Sequence, residues 1–281
     1  MINQVEKPIQ RSRLRRMLGR EYYIFRRFLK WHFSNVHYAK IDKRFPAVHL
    51  WKEHRSTLLR KLKDVDMHLQ YNKIENLRLA IEKIDGVVIR PGETFSVWRM
   101  VGRPSKRKGY KTGMMIHNGR VSTATGGGLC QLGNLLYWMA LHTNLTIQER
   151  WRHSFDVFPD VNRTVPFACG ATLAYNYIDL QLYNASDITF KINLWLDDEY
   201  LHGKITADKK PTAKYEILED DHRIEHQWWG GYTRHNRIYK RITDLATGSV
   251  TEEHVTENNA IMMYNPLLPE YKPSKYEGDL N

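Results

Sequence analysis

Three consecutive glycines at positions 126–128 stand directly before Leu129, Cys130 and Gln131, and this segment constrains the fold more than any other. Glycine accepts a positive φ and lets another backbone approach closely, because it has no Cβ. Downstream, apolar residues recur at the three- and four-residue spacing of a buried helix face: Leu132, Leu135, Leu136, Met139 and Ala140. The sequence therefore predicts a tight loop that places Cys130 at the first turn of a core helix ending near residue 143.

A thiol at that position has features of a nucleophile. The positive end of the helix dipole and the unpaired N–H groups of the first turn favour thiolate over thiol. The backbone around Gly126, Gly127 and Gly128, with Gln131 beside it, is suited to hold the oxyanion of an acyl-transfer reaction. The alternative is structural, because a free cysteine is often a small buried hydrophobe and three glycines also form a packed loop.

A thiol nucleophile needs a base, and a third group to orient that base. His153 is the predicted base, and Asp160 or Asp179 is the predicted orienting carboxylate. The order Cys, His, Asp is loosely that of transglutaminase-like and papain-like thiol enzymes, which is an analogy at the level of fold. A core or surface role for His153 stays open, because the chain has 13 histidines.

Two further polar residues are predicted to lie near this site. Glu93 follows a Pro-Gly turn and either caps the next segment or serves the site. Arg150 is suited to clamp a substrate carboxylate through two parallel hydrogen bonds. A structural ion pair with Glu149 or Asp156 is the other interpretation of this arginine.

The positive charge of the chain is concentrated in its N-terminal arm. Residues 1–63 hold 17 of the 43 Lys and Arg residues but 4 of the 31 Asp and Glu residues. Within residues 11–33, apolar and aromatic residues recur at helical spacing and arginines fill much of the remaining surface. Such a helix suits the surface of an anionic membrane, and it equally suits packing on the protein body with solvated charges. Nucleic acid is not favoured, because no nucleic-acid motif accompanies the charge.

The periodicity changes along the chain and predicts the α+β class. Up to about residue 85 the pattern is helical, with one helix over 65–84, and residues 87–89 form a short strand. After the central helix the period becomes two, which predicts a mixed or antiparallel sheet with a hairpin across 178–196. Further strands are predicted at 215–218, 224–228 and 234–243.

We divide the chain into four segments. These are a basic helical region (1–85), a core domain with the central helix (86–200), a β-rich extension of that core (201–270) and a tail (271–281).

The two cysteines, 130 and 169, are too few for a disulfide framework or a cysteine zinc site, while a single bridge between them stays open. No cluster with ligand spacing predicts a metal, and no cofactor is expected. No apolar run has the length of a membrane span, and the first residues lack the apolar core of a signal peptide. We therefore expect a cytoplasmic protein, peripheral at most at the inner face of the membrane.

Several short motifs resemble those of the VanW family. They lie within about residues 87–185 and are Arg90-Pro-Gly-Glu-Thr-Phe-Ser96, Val101-Gly102, Gly109-Tyr110, the loop from Gly126 to Gln131, Leu136-Tyr137, Glu149-Arg150 and His153-Ser154. The resemblance implies an association with glycopeptide (vancomycin) resistance and cell-wall metabolism. It supplies no agreed role for Cys130, Gln131, Glu149, Arg150 or His153.

Together, the residues and the resemblance suggest Cys-dependent acyl transfer or amide hydrolysis on a peptidoglycan-precursor peptide. The alternative is a non-catalytic accessory protein that binds a cell-wall precursor or a membrane-associated partner. The two hypotheses differ in the surroundings of Cys130. A sulfur within about 4 Å of a His153 ring nitrogen, in an open cleft, favours the enzyme.

Overall fold

Strands provide most of the regular structure in the computed structural model, which describes residues 12–59, 66–117, 119–157, 165–175 and 177–267. The helices are α1 (Arg13–Phe33), α2 (Met67–Ile81), α3 (Val97–Val101) and α4 (Cys130–Leu141), with a 3-10 turn at Lys106–Lys108. The strands are β1 (His37–Tyr38), β2 (Lys40–Ile41), β3 (His49–Thr57), β4 (Val87–Ile89), β5 (Glu93–Ser96), β6 (Thr112–His117), β7 (Arg120–Thr125), β8 (Thr146–Glu149), β9 (Phe155–Asp156), β10 (Gln181–Tyr183), β11 (Phe190–Leu196), β12 (Tyr200–Ala207), β13 (Ala213–His226), β14 (Tyr232–Asp244) and β15 (Val250–Met262). The predicted α+β class is confirmed.

Two sheets and the helices α2 and α4 supply one hydrophobic core. The first sheet has the order β1, β5, β10, β8, and only its β1–β5 pair is parallel. The second has the order β2, β4, β11, β12, β3, with antiparallel neighbours throughout. Its last strand, β3, comes from the N-terminal arm, so residues far apart in the chain complete the second sheet.

The central helix α4 packs against β3 and β12 through the apolar residues that its periodicity predicted. Gly203 on β12 permits this approach. A Cβ built there would lie 2.6 Å from Met139 Cε and 2.8 Å from Leu135 Cδ2. A side chain at this position would therefore require Met139 and Leu135 to move.

The C-terminal strands β13, β14 and β15 form a long antiparallel meander, and β9 joins it in parallel with β15. The buried face of β14 carries polar residues that reach the rest of the protein. Lys240 Nζ donates to the Thr143 carbonyl at 2.6 Å, and Asn236 Nδ2 donates to the Phe167 carbonyl at 3.0 Å. Directional hydrogen bonds thus help to attach the meander to the rest of the protein.

The predicted hairpin across 178–196 is wrong. β10 pairs with β5 and β8 in the first sheet, whereas β11 pairs with β4 and β12 in the second. Asn184 lies between these strands, and its Nδ2 donates to the carbonyls of Ile89 (2.9 Å) and Ile188 (2.7 Å). These bonds fix the chain as it crosses from the first sheet to the second. In the sequence, such a crossing looks the same as a hairpin, because both consist of two alternating segments joined by a turn.

The helical pattern up to residue 85 is confirmed for α1 and α2, but three strands, β1 to β3, lie between them. The pairing of β3 with β12 joins residues 49–57 of the first predicted segment to residues 200–207, which span the predicted boundary at residue 200. The division into four segments stays a prediction, as does the transglutaminase-like or papain-like order, and residues 271–281 lie outside the described part. None of the described helices is long and apolar enough to cross a membrane.

Candidate functional site

The glycine loop, residues 125–131, is held between β6 and α2 by close backbone contact. A Cβ on Gly127 would lie 2.2 Å from the carbonyl group of Gly113, so both positions require glycine. Asn76 fastens the same contact, because its Nδ2 donates to the Gly127 carbonyl at 2.9 Å and its Oδ1 accepts from Lys111 N at 2.8 Å. The three glycines therefore serve a tight approach between two segments of backbone.

Three of the groups predicted to hold an oxyanion have partners within the chain: the N–H groups of Gly126 and Gly127, and the side chain of Gln131. Gly126 N donates to the Lys111 carbonyl at 2.9 Å, and Gly127 N donates to the Ala124 carbonyl at 3.0 Å. The side chain of Gln131 donates to β3, at 3.0 Å to Ser56 Oγ and 2.8 Å to the Thr57 carbonyl. Gly128 takes φ +94°, and a Cβ there would lie 2.3 Å from Lys73 Cγ. In this conformation the donors of Gly126, Gly127 and Gln131 bind the surrounding protein.

Cys130 is the first residue of α4, as predicted, but its sulfur faces the backbone of Leu173. Leu173 N donates to Sγ at 3.4 Å, and Sγ donates to the Leu173 carbonyl at 3.7 Å. Burial raises the pKa of the Cys130 thiol, although hydrogen bonds from the backbone oppose this effect. No disulfide joins Cys130 to Cys169. The surroundings of Cys130 thus favour the neutral thiol.

His153 lies between β8 and β9, in the connection that leads towards the C-terminal meander. It is partly buried, and burial lowers the pKa of its imidazole. Among the described residues, no hydrogen bond, ion pair or ring contact joins His153 to Cys130. Asp160 lies outside the described residues. The structure therefore does not bring the predicted nucleophile and base into contact.

Glu93 and Arg150 both hold backbone in place. Glu93 accepts a hydrogen bond from Arg90 N at 2.9 Å across the Pro-Gly turn. Arg150 Nε donates to the Gly170 carbonyl at 2.8 Å, its Nη2 donates to the Ala168 carbonyl, and its guanidinium lies 4.8 Å from the ring centroid of Tyr137. Its contacts therefore fasten the segment 165–175 rather than pairing with Glu149 or Asp156.

A group of polar side chains that we call the acidic row converges on the first sheet. It consists of Ser96 (β5), Gln181 (β10), Glu149 (β8) and Asp179, which lies just before β10. Ser96 and Glu149 are the cross-strand partners of Gln181 on its two sides. Gln181 Nε2 donates to Glu149 at 3.1 Å and to Asp179 at 3.3 Å. The register of three strands thus brings two carboxylates together.

Asp179 is fully buried at the centre of the acidic row. It accepts hydrogen bonds from Ser96 Oγ at 2.6 Å and from the backbone N–H groups of Trp98 and Leu180 at 3.2 and 2.9 Å. Burial raises the pKa of Asp179 to about 6, although the bonds from Ser96 and Trp98 act in the opposite direction. The carboxyl is therefore poised to change charge close to neutral pH.

The cation that balances the acidic row comes from α1. Arg27 donates to both oxygens of Glu149, at 2.6 and 2.8 Å, and lies 3.8 Å from Asp179. Sequence reasoning placed Arg27 among the surface charges and did not connect it with these carboxylates. The sequence signals for the pair are the alternating pattern of β8 and the arginine spacing of α1. Neither signal identifies which arginine contacts which carboxylate. Among the described residues, no group of three or more His, Cys, Asp or Glu is arranged to hold a metal ion.

Comparisons with known proteins place this arrangement in a family. The family model described as VanW like protein matches residues 72–206, which include the glycine loop and the acidic row but not Arg27. The vancomycin B-type resistance protein VanW of Enterococcus faecalis (strain ATCC 700802 / V583) is 38% identical over 202 residues, 72% of this chain and 73% of that protein. The uncharacterized protein YoaR of Bacillus subtilis (strain 168) is 32% identical over 113 residues, 40% of this chain and 36% of that protein. No solved structure matches. On these similarities the chain belongs to the VanW family.

Proposed function

We propose that this chain acts in vancomycin resistance as a non-catalytic accessory protein that binds a cell-wall precursor peptide. The link to resistance rests on the name of the relative from Enterococcus faecalis. The absence of catalysis rests on one observation, the engagement of the Cys130 thiol by the backbone of Leu173.

The chemistry of thiol enzymes explains why that observation carries the proposal. A catalytic cysteine needs a lowered pKa, or a base within hydrogen-bond reach, to supply the thiolate. Here burial raises the pKa of the Cys130 thiol, and both of its polar contacts are with Leu173. The engaged N–H groups of Gly126 and Gly127 give the same proposal a second, weaker support.

The competing proposal is Cys-dependent acyl transfer or amide hydrolysis on a peptidoglycan-precursor peptide. The position of Cys130 at the first residue of α4, directly after three glycines, favours it. For this chemistry the segment around Leu173 would have to release the sulfur, and His153 or another base would have to approach.

One experiment separates the two proposals. The purified chain and its Cys130→Ala variant are incubated with a peptidoglycan-precursor pentapeptide, binding is measured by calorimetry, and products are sought by mass spectrometry. We expect the two proteins to bind with equal affinity and to form no product. Cys169→Ala, which removes the other thiol, is the matched control.

Two results would overturn the proposal. One is a product, or a mass increase on the protein, that forms with the wild-type chain and with Cys169→Ala but not with Cys130→Ala. The other is a wild-type chain that does not bind the pentapeptide.

A further inference from the structure

The helix α1 leaves most of its apolar residues in solvent. Trp31 is its only buried residue. Its large apolar residues on the surface are Leu14, Met17, Leu18, Tyr22, Tyr23, Phe25, Phe28, Leu29 and Phe33. Nine large apolar side chains exposed on one helix are far more than the scattered exposed residues of an ordinary soluble protein.

The helix α1 is exposed although it makes specific contacts with the rest of the protein. Arg27 binds Glu149 across a largely buried ion pair, and Arg99 Nη1 donates to the Trp31 carbonyl at 3.1 Å. Further along, Arg103 binds Glu21 at 3.1 Å. Arg27 and Trp31 are four residues apart, so they lie on one face of α1. That face attaches the helix to the body. The pair of Glu21 with Arg103 adds an exposed link at the edge of the apolar residues, because Glu21 is three residues from Leu18 and four from Phe25.

The exposed apolar residues lie on another face. Five of them follow the spacing 4, 4, 3 and 4, which forms one stripe of an α-helix. We call it the apolar stripe: Leu14, Leu18, Tyr22, Phe25 and Leu29. Its members are aliphatic and aromatic side chains of the kind that enter the boundary between lipid headgroups and acyl chains.

A row of positive charge borders the apolar stripe. Arg15, Arg26 and Lys30 are spaced by 11 and 4 residues, which again is one helix face, and all three are exposed. Glu21 is the only acidic residue of α1. A surface with this composition is complementary to an anionic lipid bilayer, because lipid phosphates attract the cations while the acyl region accepts the apolar side chains.

Other occupants fit this surface less well. A nucleic acid would be held by the arginines but would gain nothing from an apolar stripe of five residues. A second copy of the chain would bury the stripe but would also bring two rows of like charge together. We infer that α1 docks on the surface of an anionic bilayer, with the apolar stripe in the headgroup boundary and the helix axis along the membrane plane.

The test uses the full chain and sedimentation with vesicles. One set of vesicles is an equimolar mixture of phosphatidylglycerol and phosphatidylcholine, and the other is phosphatidylcholine alone. We expect stronger binding to the anionic vesicles and a fall of about tenfold or more in the Leu18→Glu variant. The charge-removing double variant Arg15→Gln/Arg26→Gln is expected to lose about fivefold per residue.

A matched control is available at a distance from α1. Leu245 is 62% exposed in the turn between β14 and β15, against 59% for Leu18, so Leu245→Glu makes the same chemical change on an unrelated surface. Its vesicle binding is expected to equal that of the wild type. Both leucines are exposed, so thermal unfolding of each variant should match the wild type and exclude misfolding as the cause.

Three results would overturn the inference. The first is Leu18→Glu binding anionic vesicles as tightly as Leu245→Glu. The second is equal binding to the two kinds of vesicle. The third is a wild-type dimer in light scattering that becomes a monomer in Leu18→Glu, which would assign the stripe to a second copy. The outcome does not depend on whether the chain binds a precursor peptide, so the two proposals fail separately.

Discussion

The glycine loop and the acidic row both contain residues that the family motifs include, yet their polar groups face different surroundings. In the loop, donors and the thiol are bonded to backbone that packs around them. In the acidic row, side chains from three strands converge and a cation from a distant helix completes the group. A reactive residue type within a motif is thus weaker evidence for a chemical site than polar side chains that converge from several strands and helices.

The largest expected effect tests the loop as a packing device. Gly127→Ala should lower the free energy of unfolding by more than about 4 kcal/mol or prevent folding, because its Cβ would overlap the Gly113 carbonyl. Urea denaturation followed by circular dichroism measures the change. Gly19→Ala on α1 meets no atom within 4 Å and should raise the stability slightly. A loop that tolerated Gly127→Ala would be mobile, and the contrast with the acidic row would fail.

The next effect concerns Asp179 and pH. Its pKa is raised from an ordinary 3.8 to about 6, so the folded protein holds a proton that the unfolded chain has already released. The stabilising contribution is therefore complete below pH 3.8 and is lost as pH rises through about 6, by up to about 3 kcal/mol.

Asp179→Asn removes this titration. Denaturation curves at several values between pH 4 and pH 7 should show the stability of wild type falling relative to that of the variant by about 2.4 kcal/mol over the range. The comparison uses the slope, so a constant loss of stability in the variant does not affect it. If stability changed with pH equally in the two proteins, the pKa of Asp179 would be the same in the folded and unfolded states.

A smaller effect is expected from the ion pair that joins α1 to the acidic row. Arg27→Met should cost about 2 kcal/mol, because it leaves the partly buried Glu149 carboxylate without its cation. A double-mutant cycle with Glu149→Gln should give a coupling of about 1 kcal/mol or more. Arg20→Met is the control, since Arg20 pairs with Glu21 on an exposed surface and should change stability by less than about 0.5 kcal/mol. A coupling energy of zero would show that Arg27 does not stabilise the acidic row through Glu149.

The smallest effect returns to the loop. In a Cys169→Ala background, Cys130→Ser should cost about 1 kcal/mol, because the hydroxyl can keep both contacts with Leu173. With Cys130 intact, alkylation by iodoacetamide at neutral pH should be at least about tenfold slower in the folded than in the unfolded protein. Alkylation that is faster in the folded than in the unfolded protein would show that Cys130 is a reactive thiol.

The sequence predicted the parts of the fold that depend on local periodicity. The apolar spacing of Leu132, Leu135, Leu136 and Met139 predicted α4, and the short apolar run at 87–89 predicted β4. The positions of Cys130 and the glycines at the start of α4 were also recovered. In each case the signal lies within one turn or one strand and needs no knowledge of the partner.

Pairing between distant segments was not predictable from those signals. Nothing in residues 49–57 shows that they pair with residues 200–207. The strand β15 was not predicted, because its many charged and polar residues hide the apolar alternation of a strand. For the same reason Arg27 was counted as a surface charge, because its partner Glu149 lies 122 residues away. The role of His153 and Asp160 stays a prediction.

The outermost position of β3 in the second sheet has a consequence for fragments of the family domain. The matched range begins at residue 72, after β3, yet β3 pairs along its length with β12, which lies in that range except for its last residue, Ala207. A fragment of residues 72–206 would present the hydrogen-bonding groups of β12 to solvent as an open sheet edge, which recruits strands from other molecules. Such a fragment also lacks β1 and β2, the partners of β5 and β4. It should aggregate, and adding residues 49–57 as a separate peptide should lower the aggregation by covering the β12 edge.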